Sequence, residues 1–336
     1  MTELMQRLRR SWMVAATVKR LGNKPLSLTI LGTPLVLFRT SSGIAALLDR
    51  CPHRNAPLGP GKMVGDSIQC PYHGWQFDQN GSCVKRPGCS EPAEIDCSTP
   101  AFQACERNGL IWVQLDKSPT EETPPQANWH QDDRFASFHW SNTLQSEFID
   151  GIENLLDATH TPFVHAGLIR TESNPQTFRA TVRIREGKAE AEYCDEGKQS
   201  GWISKIFESN RGSSFGRFIP PCIAELEYRS KEHTEFVLNS HFTPTEDGKL
   251  SVISTFFVRK TLIPSFLKRA LLTPFFARVL TQDARILQQQ QENVKRFGGP
   301  SYVYWEGDLL RGLIEAWFRN GQFPQNFNDT SIELRL

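Results

Sequence analysis

Two short stretches each pair a cysteine with a histidine: Cys51-Pro-His53-Arg at 51–54 and Cys70-Pro-Tyr-His73-Gly-Trp at 70–75. Sixteen residues separate His53 from Cys70. Thiolates and imidazoles in short loops are metal ligands by type. Zinc is one reading, yet a zinc finger groups its cysteines in one pair and its histidines in another. Here each loop supplies one of each. Two such loops facing one another can set both thiolates on one metal and both imidazoles on a second. That is the pattern of a [2Fe–2S] centre with two neutral ligands, whose potential lies at roughly −150 to +300 mV. A second constellation follows at 153–165, Glu-Asn-Leu-Leu-Asp157-Ala-Thr-His160-Thr-Pro162-Phe-Val-His165. Asp157 and His160, three apart, share a face if the helix runs through them. Pro162 is then expected to end or kink that helix and swing His165 back toward His160. Two histidines and a carboxylate, with open positions opposite, activate O₂ at non-heme Fe(II). Taken alone, the spacing of the histidines equally fits two core residues.

The carboxylate has a candidate in Asp283. Phe276, Leu280, Leu287 and Val294 form an apolar stripe, and Asp283 falls on it. A carboxylate on a core face costs several kcal/mol unless paired or metal-bound. An ion pair with Arg278 or Arg285 is the plainer alternative, and Glu292 is the next carboxylate along.

These residues need a scaffold. From Leu26 to Leu115 the pattern is strand-like: LSLTIL, LVLFRT and IAALLD are separated by Gly32-Thr33-Pro34 and Ser41-Ser42-Gly43. Gln79-Asn80-Gly81 marks a hairpin, and GLIWVQL closes the segment. Asp116 to Gln126, rich in Pro, Thr and Glu, reads as a linker, so domains are expected at 1–118 and 119–336. In the second, apolar positions 148, 152, 155 and 156 predict a helix over Ser146–His160. Phe178–Cys194, Ala224–Tyr228, Glu235–Phe242 and Leu250–Arg259 alternate like antiparallel strands. Helical spacing returns over about 274–295 and 309–318. The expected class is α+β, a sheet with helices on one side.

With 336 residues and 39% hydrophobic content, the chain can bury two cores. Lys and Arg number 38 against 37 Asp and Glu, a net charge of +1, which lacks the field nucleic-acid binding needs. Twenty-one prolines argue against a helical bundle. Leu262–Leu280 is the most membrane-like stretch. Lys268, Arg269 and Arg278 interrupt it and Pro264 and Pro274 are expected to break it, giving a buried helix pair or a segment lying on a membrane surface. With neither a signal peptide nor a span, the expected compartment is the reducing cytoplasm. There Cys83, Cys89, Cys97, Cys105, Cys194 and Cys222 are thiols.

Together the Cys-x-His and Cys-x₂-His loops and the Asp-x₂-His-x₄-His run resemble the α-subunit family of Rieske non-heme iron oxygenases over nearly the whole chain. Respiratory Rieske subunits carry a further, disulfide-forming cysteine in each loop, where this chain has Ala56 and Tyr72. The resemblance implies an all-β Rieske domain followed by a helix-grip catalytic domain with an antiparallel sheet, assembled as a head-to-tail homotrimer. In that family the cluster of one subunit feeds the iron of its neighbour. Carried over, Cys51, His53, Cys70 and His73 hold the [2Fe–2S] cluster, and His160, His165 and Asp283 hold mononuclear Fe(II). Asp157 bridges a Rieske histidine, His73 of the adjacent subunit, to an iron-ligating histidine. The implied activity is that of an oxygenase component using O₂. Its electrons come from a separate NAD(P)H-dependent flavin or iron–sulfur reductase, with or without a ferredoxin, since the chain has no Gly-x-Gly-x-x-Gly fingerprint of its own. The short chain favours hydroxylation or O- or N-demethylation of an apolar aromatic or polycyclic molecule over ring cis-dihydroxylation. An electron carrier and a zinc-binding structural protein are the rival classes. Phe148, Ile152, Leu155, Phe163, Phe215 and Phe242 are the apolar residues considered for a pocket.

Overall fold

Runs of β-branched and aromatic residues, cut by Gly, Pro, Asn and Asp, form antiparallel strands in both parts of the chain. A computed structural model describes residues 3–88, 97–116, 123–169, 177–194, 211–262 and 264–335. Cys89 and the expected boundary at 118/119 lie outside the described residues. Two units result, one of residues 1–125 with 243–247 and one of 126–242 with 248–336.

The first unit holds β1 (Met13–Thr17), β2 (Leu26–Ile30), β3 (Thr33–Thr40), β4 (Gly43–Leu48), β5 (Lys62–Val64), β6 (Ser67–Gln69), β7 (Gln76–Phe77), β8 (Cys83–Lys85), β9 (Ala101–Arg107) and β10 (Leu110–Gln114). Helices α1 (Glu3–Arg9) and α2 (Val18–Leu21) are short additions. A six-stranded sheet runs β1-β10-β9-β4-β3-β2, and a four-stranded sheet runs β5-β6-β7-β8. Val36, Phe38, Leu47, Ile68 and Phe77 pack into one buried cluster that includes Cys51 and Cys70. Both expected cysteine ligands are thereby rooted in the core, while the residues after them run out along loops. Asp49 holds the first loop, accepting the Leu58 and Gly59 N–H groups at 2.6 and 2.8 Å and the Ser27 hydroxyl at 2.6 Å. In the second loop the Cys70 N–H donates to Trp75 O and the Gly74 N–H to Cys70 O. Gly74 sits at φ 73°, a conformation that a Cβ would strain.

The second unit is built on β11 (Phe135–Gln145), β12 (Thr177–Arg185), β13 (Lys188–Cys194), β14 (Arg211–Ile219), β15 (Ile223–Ser230), β16 (Thr234–Glu246), β17 (Lys249–Arg259) and β18 (Thr330–Arg335). The strand order is β11-β17-β16-β15-β14-β13-β12-β18, with antiparallel registers such as Phe135↔Arg259 to Gln145↔Lys249. Helices α3 (Phe148–Leu156), α4 (Thr161–Val164), α5 (Ser265–Arg296) and α6 (Arg311–Asn320) accompany the sheet. The fold is an all-β N-terminal unit followed by an α+β unit with an antiparallel sheet, as the residue patterns imply.

Two expectations about helices fail. The helix expected over Ser146–His160 stops at Leu156, where the Tyr193 hydroxyl from β13 donates to the Leu156 carbonyl at 3.2 Å. Asp157 then leaves the helix at ψ 120°, and Pro162 starts α4 instead of ending α3, a first-turn place where its missing N–H costs nothing. Asp157 and His160 therefore share no helix face. Nor do Pro264 and Pro274 split the 265–296 segment. Pro264 caps α5, and Pro274 lies inside it. Leu272 is buried beside that proline, and Phe276 stacks on Phe236 at 5.4 Å and meets Phe256 at 4.7 Å. Apolar anchoring on both sides offsets the one hydrogen bond a proline removes. Among the described residues no helix is long and apolar enough to cross a membrane.

Arg311, 7% exposed, fastens α6 to α3. Its guanidinium donates to Asp150 at 2.6 Å, Glu153 at 2.5 Å and Glu315 at 2.7 Å, and Tyr302 donates to the other Asp150 oxygen at 2.8 Å. At Gly151 on α3 a Cβ would stand 2.6 Å from Leu250 Cδ1, so any larger residue would have to turn the Leu250 side chain aside. These contacts fix the helix end from which Asp157 emerges.

Candidate metal centres

In the first unit the four expected ligands sort by type. The Cys51 and Cys70 thiols are hydrogen-bonded neighbours, and the His53 and His73 ring centroids lie 4.5 Å apart. Trp75 stacks on His53 at 4.6 Å and 4°, and Tyr72, two-thirds exposed, lies over His73 at 3.8 Å. Burial pushes the Cys51 thiol up to about 11, against backbone N–H groups of His53 and Arg54 that favour its thiolate; Cys70 adds to the rise. A thiol so placed ionises once a cation shares its charge. Burial and the neighbouring His73 lower the His53 imidazole. His53 Nδ1 is itself buried and has no hydrogen-bond partner. Two thiols side by side, two imidazoles side by side and an orphaned ring nitrogen suit a two-iron cluster with like ligands on each iron. One tetrahedral zinc has no need of that sorting.

In the second unit three ligand atoms converge. His160 Nε2 and His165 Nε2 are 3.2 Å apart, and Asp283 Oδ1 lies 3.5 and 3.1 Å from them. Bonds of about 2.1 Å meeting at right angles set their donor atoms about 3.0 Å apart, close to this spacing. Asp283 Oδ1 is buried, and neither imidazole meets it in hydrogen-bonding geometry. Among the described residues its ion-pair contacts are to these two histidines and not to Arg278 or Arg285. Asp283 shares the buried face of α5 with Leu272, Leu287 and Gln291.

Each imidazole is also held from behind. His160 Nδ1 meets Asp157 Oδ2 at 3.3 Å, and His165 Nδ1 meets Gln282 Oε1 at 3.0 Å. With oxygen acceptors on both Nδ1 atoms, the rings carry their protons there and turn both Nε2 lone pairs inward. Burial alone would lower the His160 imidazole, but the Asp157 hydrogen bond and the negative charges of Asp157 and Asp283 raise it to about 9. A metal cation can take the place of that proton. Burial raises both carboxyl groups less than their partners lower them, so Asp157 and Asp283 stay below the usual carboxylate range. Gln282 escaped the sequence reading; its only signal is its place beside Asp283.

A cavity of about 270 Å³ opens beside the three ligand atoms. Leu155 and Phe215 line it as expected. Phe148, Ile152 and Phe242 are instead core, buried to 6% exposure or less, and Phe163 is 64% exposed. Its apolar walls come from α5 and the sheet, which the sequence pattern did not connect.

Residues 11–103 match the Rieske [2Fe-2S] domain family, and residues 150–311 match the vanillate O-demethylase oxygenase C-terminal domain family. The dicamba O-demethylase oxygenase component of Stenotrophomonas maltophilia is 34% identical over 188 residues, 55% of each chain. Methylxanthine N3-demethylase NdmB of Pseudomonas putida is 27% identical over 283 residues, 80% of this chain and 76% of that one. The chain spans about half the length of several curated relatives that it matches. The crystal structure of dicamba monooxygenase bound to dicamba superposes with a TM-score of 0.81 at 22% identity, over 93% of this chain and 96% of that one, a likeness of fold. With both domains matched in order and a ligand set in each, the chain belongs to the Rieske non-heme iron oxygenases, a family of oxidoreductases that carry a [2Fe–2S] cluster and a mononuclear iron.

Proposed function

We propose that the protein is the oxygenase component of a multicomponent monooxygenase. Electrons reach its cluster from a separate NAD(P)H-dependent reductase, directly or through a ferredoxin. They serve to hydroxylate, or to O- or N-demethylate, an apolar small molecule. Cys51, Cys70, His53 and His73 hold the cluster, and His160, His165 and Asp283 hold Fe(II). When bound, that iron supplies O₂ activation. The chain's own contributions are positional. Asp157 and Gln282 keep the Nδ1 protons and leave both Nε2 atoms for metal, and apolar cavity walls keep water from the reacting carbon. The observation that carries the reading is the convergence of His160 Nε2, His165 Nε2 and Asp283 Oδ1 within 3.5 Å at a cavity. Relatives named as O- and N-demethylases support demethylation and monooxygenation over dihydroxylation. A homotrimer that joins His73 of one subunit to Asp157 of the next is compatible with the exposed His73 and the 27% exposed Asp157 side chain.

The test is iron content with ¹⁸O₂ turnover. Protein purified anaerobically should hold about three irons per chain, two in the cluster and one mononuclear, from the ligand counts. With a reductase it should transfer labelled oxygen to product. Asp283→Ala should lose the third iron and all turnover while keeping the cluster's absorption. Cys51→Ser or Cys70→Ser should abolish that absorption. A retained Rieske electron-spin signal in either cysteine variant, or a third iron retained without Asp283, would overturn the assignment.

A further inference from the structure

The cavity is elongated, and two independent distances say so. Along α5 its lining runs from Asp283 at one end to Lys268 at the other, with Leu272, Phe276 and Leu280 between them. Fifteen residues at about 1.5 Å each place these ends roughly 22 Å apart on the helix axis. Across the sheet its lining passes through Tyr193, Phe215, Tyr228, Phe236 and Arg259, on β13, β14, β15, β16 and β17. Four steps between neighbouring strands at about 4.8 Å each span roughly 19 Å. Tyr193 belongs to the ligand end, since its hydroxyl holds Leu156, next to Asp157. Lys268 belongs to the far end, since its Nζ donates to the Arg259 carbonyl at 2.6 Å. The volume of about 270 Å³ is close to twice the ~150 Å³ that holds one benzene ring.

Between the ends the walls named above are apolar or aromatic, and charge reappears with Lys268, Arg259 and Glu235. Glu235 meets His233 Nε2 at 2.9 Å, and its charge also acts on Lys268, favouring the ammonium form against burial. Arg259 is the least of the charges acting on Asp132, whose hydrogen bonds come from Arg134. Lys268 gives one of its three N–H donors to the Arg259 carbonyl, and a carboxylate, an acceptor with two oxygens, can take the others. We propose that Lys268 is a specificity-determining residue that reads an anionic group at one end of an elongated apolar substrate, whose other end lies at His160, His165 and Asp283. The substrate class is an acid whose hydrophobic body is longer than a single ring. This deepens the oxygenase reading and rests on it only for what is done to the bound molecule.

Binding tests it without turnover. Full-length protein is titrated with 1-pyrenebutanoate and with the neutral 1-pyrenebutanol, followed by probe fluorescence anisotropy. Wild type should bind the butanoate about 10- to 100-fold more tightly, the range of a charge-assisted hydrogen bond. Lys268→Met should erase that preference by weakening the butanoate alone, and Lys268→Arg should keep most of it. Leu280→Trp, which fills the cavity about one helical turn from Asp283, should expel both probes. Equal affinities in wild type, a preference that survives Lys268→Met, binding indifferent to Leu280→Trp, or no binding of either probe would each overturn the proposal. The two readings fail separately. Charge-selective binding without oxygenation would sink the oxygenase, and oxygenation without charge selectivity would sink the role of Lys268.

Discussion

Gln282 Oε1 accepts the Nδ1 proton of His165 at 3.0 Å, although the two residues are 117 positions apart. Asp283, the next residue along α5, turns its carboxylate to the same histidine's Nε2 at 3.1 Å. Adjacent residues of one helix therefore grip both nitrogens of one imidazole, which fixes its tautomer and its orientation together. Loss of a hydrogen bond behind a metal-bound histidine costs about 10- to 100-fold in metal affinity. Gln282→Leu should accordingly lose mononuclear iron to a chelator at concentrations the wild type withstands, with the cluster's absorption unchanged. Gln282→Glu, which keeps an oxygen acceptor, should retain the iron. Equal chelator resistance in Gln282→Leu and wild type would show that the contact does not orient the ligand.

A second consequence concerns stability. Arg311 is buried with Asp150, and Glu153 and Glu315 complete its neutralisation. Burial disfavours the Arg311 charge, but the three carboxylates outweigh that and hold the guanidinium's pKa above its ordinary value. Arg311→Met would leave the buried Asp150 and the partly buried Glu153 uncompensated, a loss of about 3–5 kcal/mol. For a unit of this size the calorimetric transition should fall by roughly 10 °C. Adding Asp150→Asn and Glu153→Gln should recover much of it, because no unpaired charge then remains. A single variant that melts like wild type would mean that water reaches these carboxylates.

Much of this was legible from residue order because it is local. The Cys51 and Cys70 loops hang between strands bounded by turn residues, and Glu186-Gly187, with φ 50° and 72°, turns β12 into β13 as its chemistry dictates. Asp283 was legible because a carboxylate on an apolar stripe needs a reason. What local order cannot show is a contact made by a distant segment. The end of α3 depends on the Tyr193 hydroxyl, 37 residues away, so the spacing of Asp157 and His160 was read as a helix face when a turn brings them together. Helix α5 survives Pro274 because Phe236 and Phe256 receive Phe276, a packing fact with no sequence signature. Glu292, the alternative carboxylate, is exposed and accepts a hydrogen bond from Gln288 at 2.9 Å, away from the ligand atoms. Of the pocket residues drawn from α3, Leu155 lines the cavity, but Phe148 and Ile152 face the core for the same reason: most of the cavity is walled by elements that only the sheet order brings together.

The role proposed for Asp157 is in electron supply and not in metal retention. Its Oδ1 accepts the Thr159 N–H at 2.6 Å and its Oδ2 faces His160 Nδ1 at 3.3 Å, so the carboxylate is fixed at the back of a ligand without being one. With 27% of its side chain exposed, a further lone pair can receive a second imidazole N–H, such as that of His73 from the adjacent subunit. Asp157→Asn keeps the shape, loses the charge and replaces one acceptor oxygen by a donor. Both metals should stay, because no ligand is touched, and the cluster should still be reduced by its reductase. Electron transfer onward to the mononuclear iron should slow by at least the ~10- to 100-fold seen when such supporting contacts are lost. If the bridge crosses subunits, diluting wild type to monomers should reproduce the defect while leaving cluster reduction intact. The measurement is single-turnover oxidation of the reduced cluster with O₂ and substrate present, read from its visible absorption. A wild-type rate and product yield in Asp157→Asn would reduce Asp157 to a residue that only shapes the turn between α3 and α4.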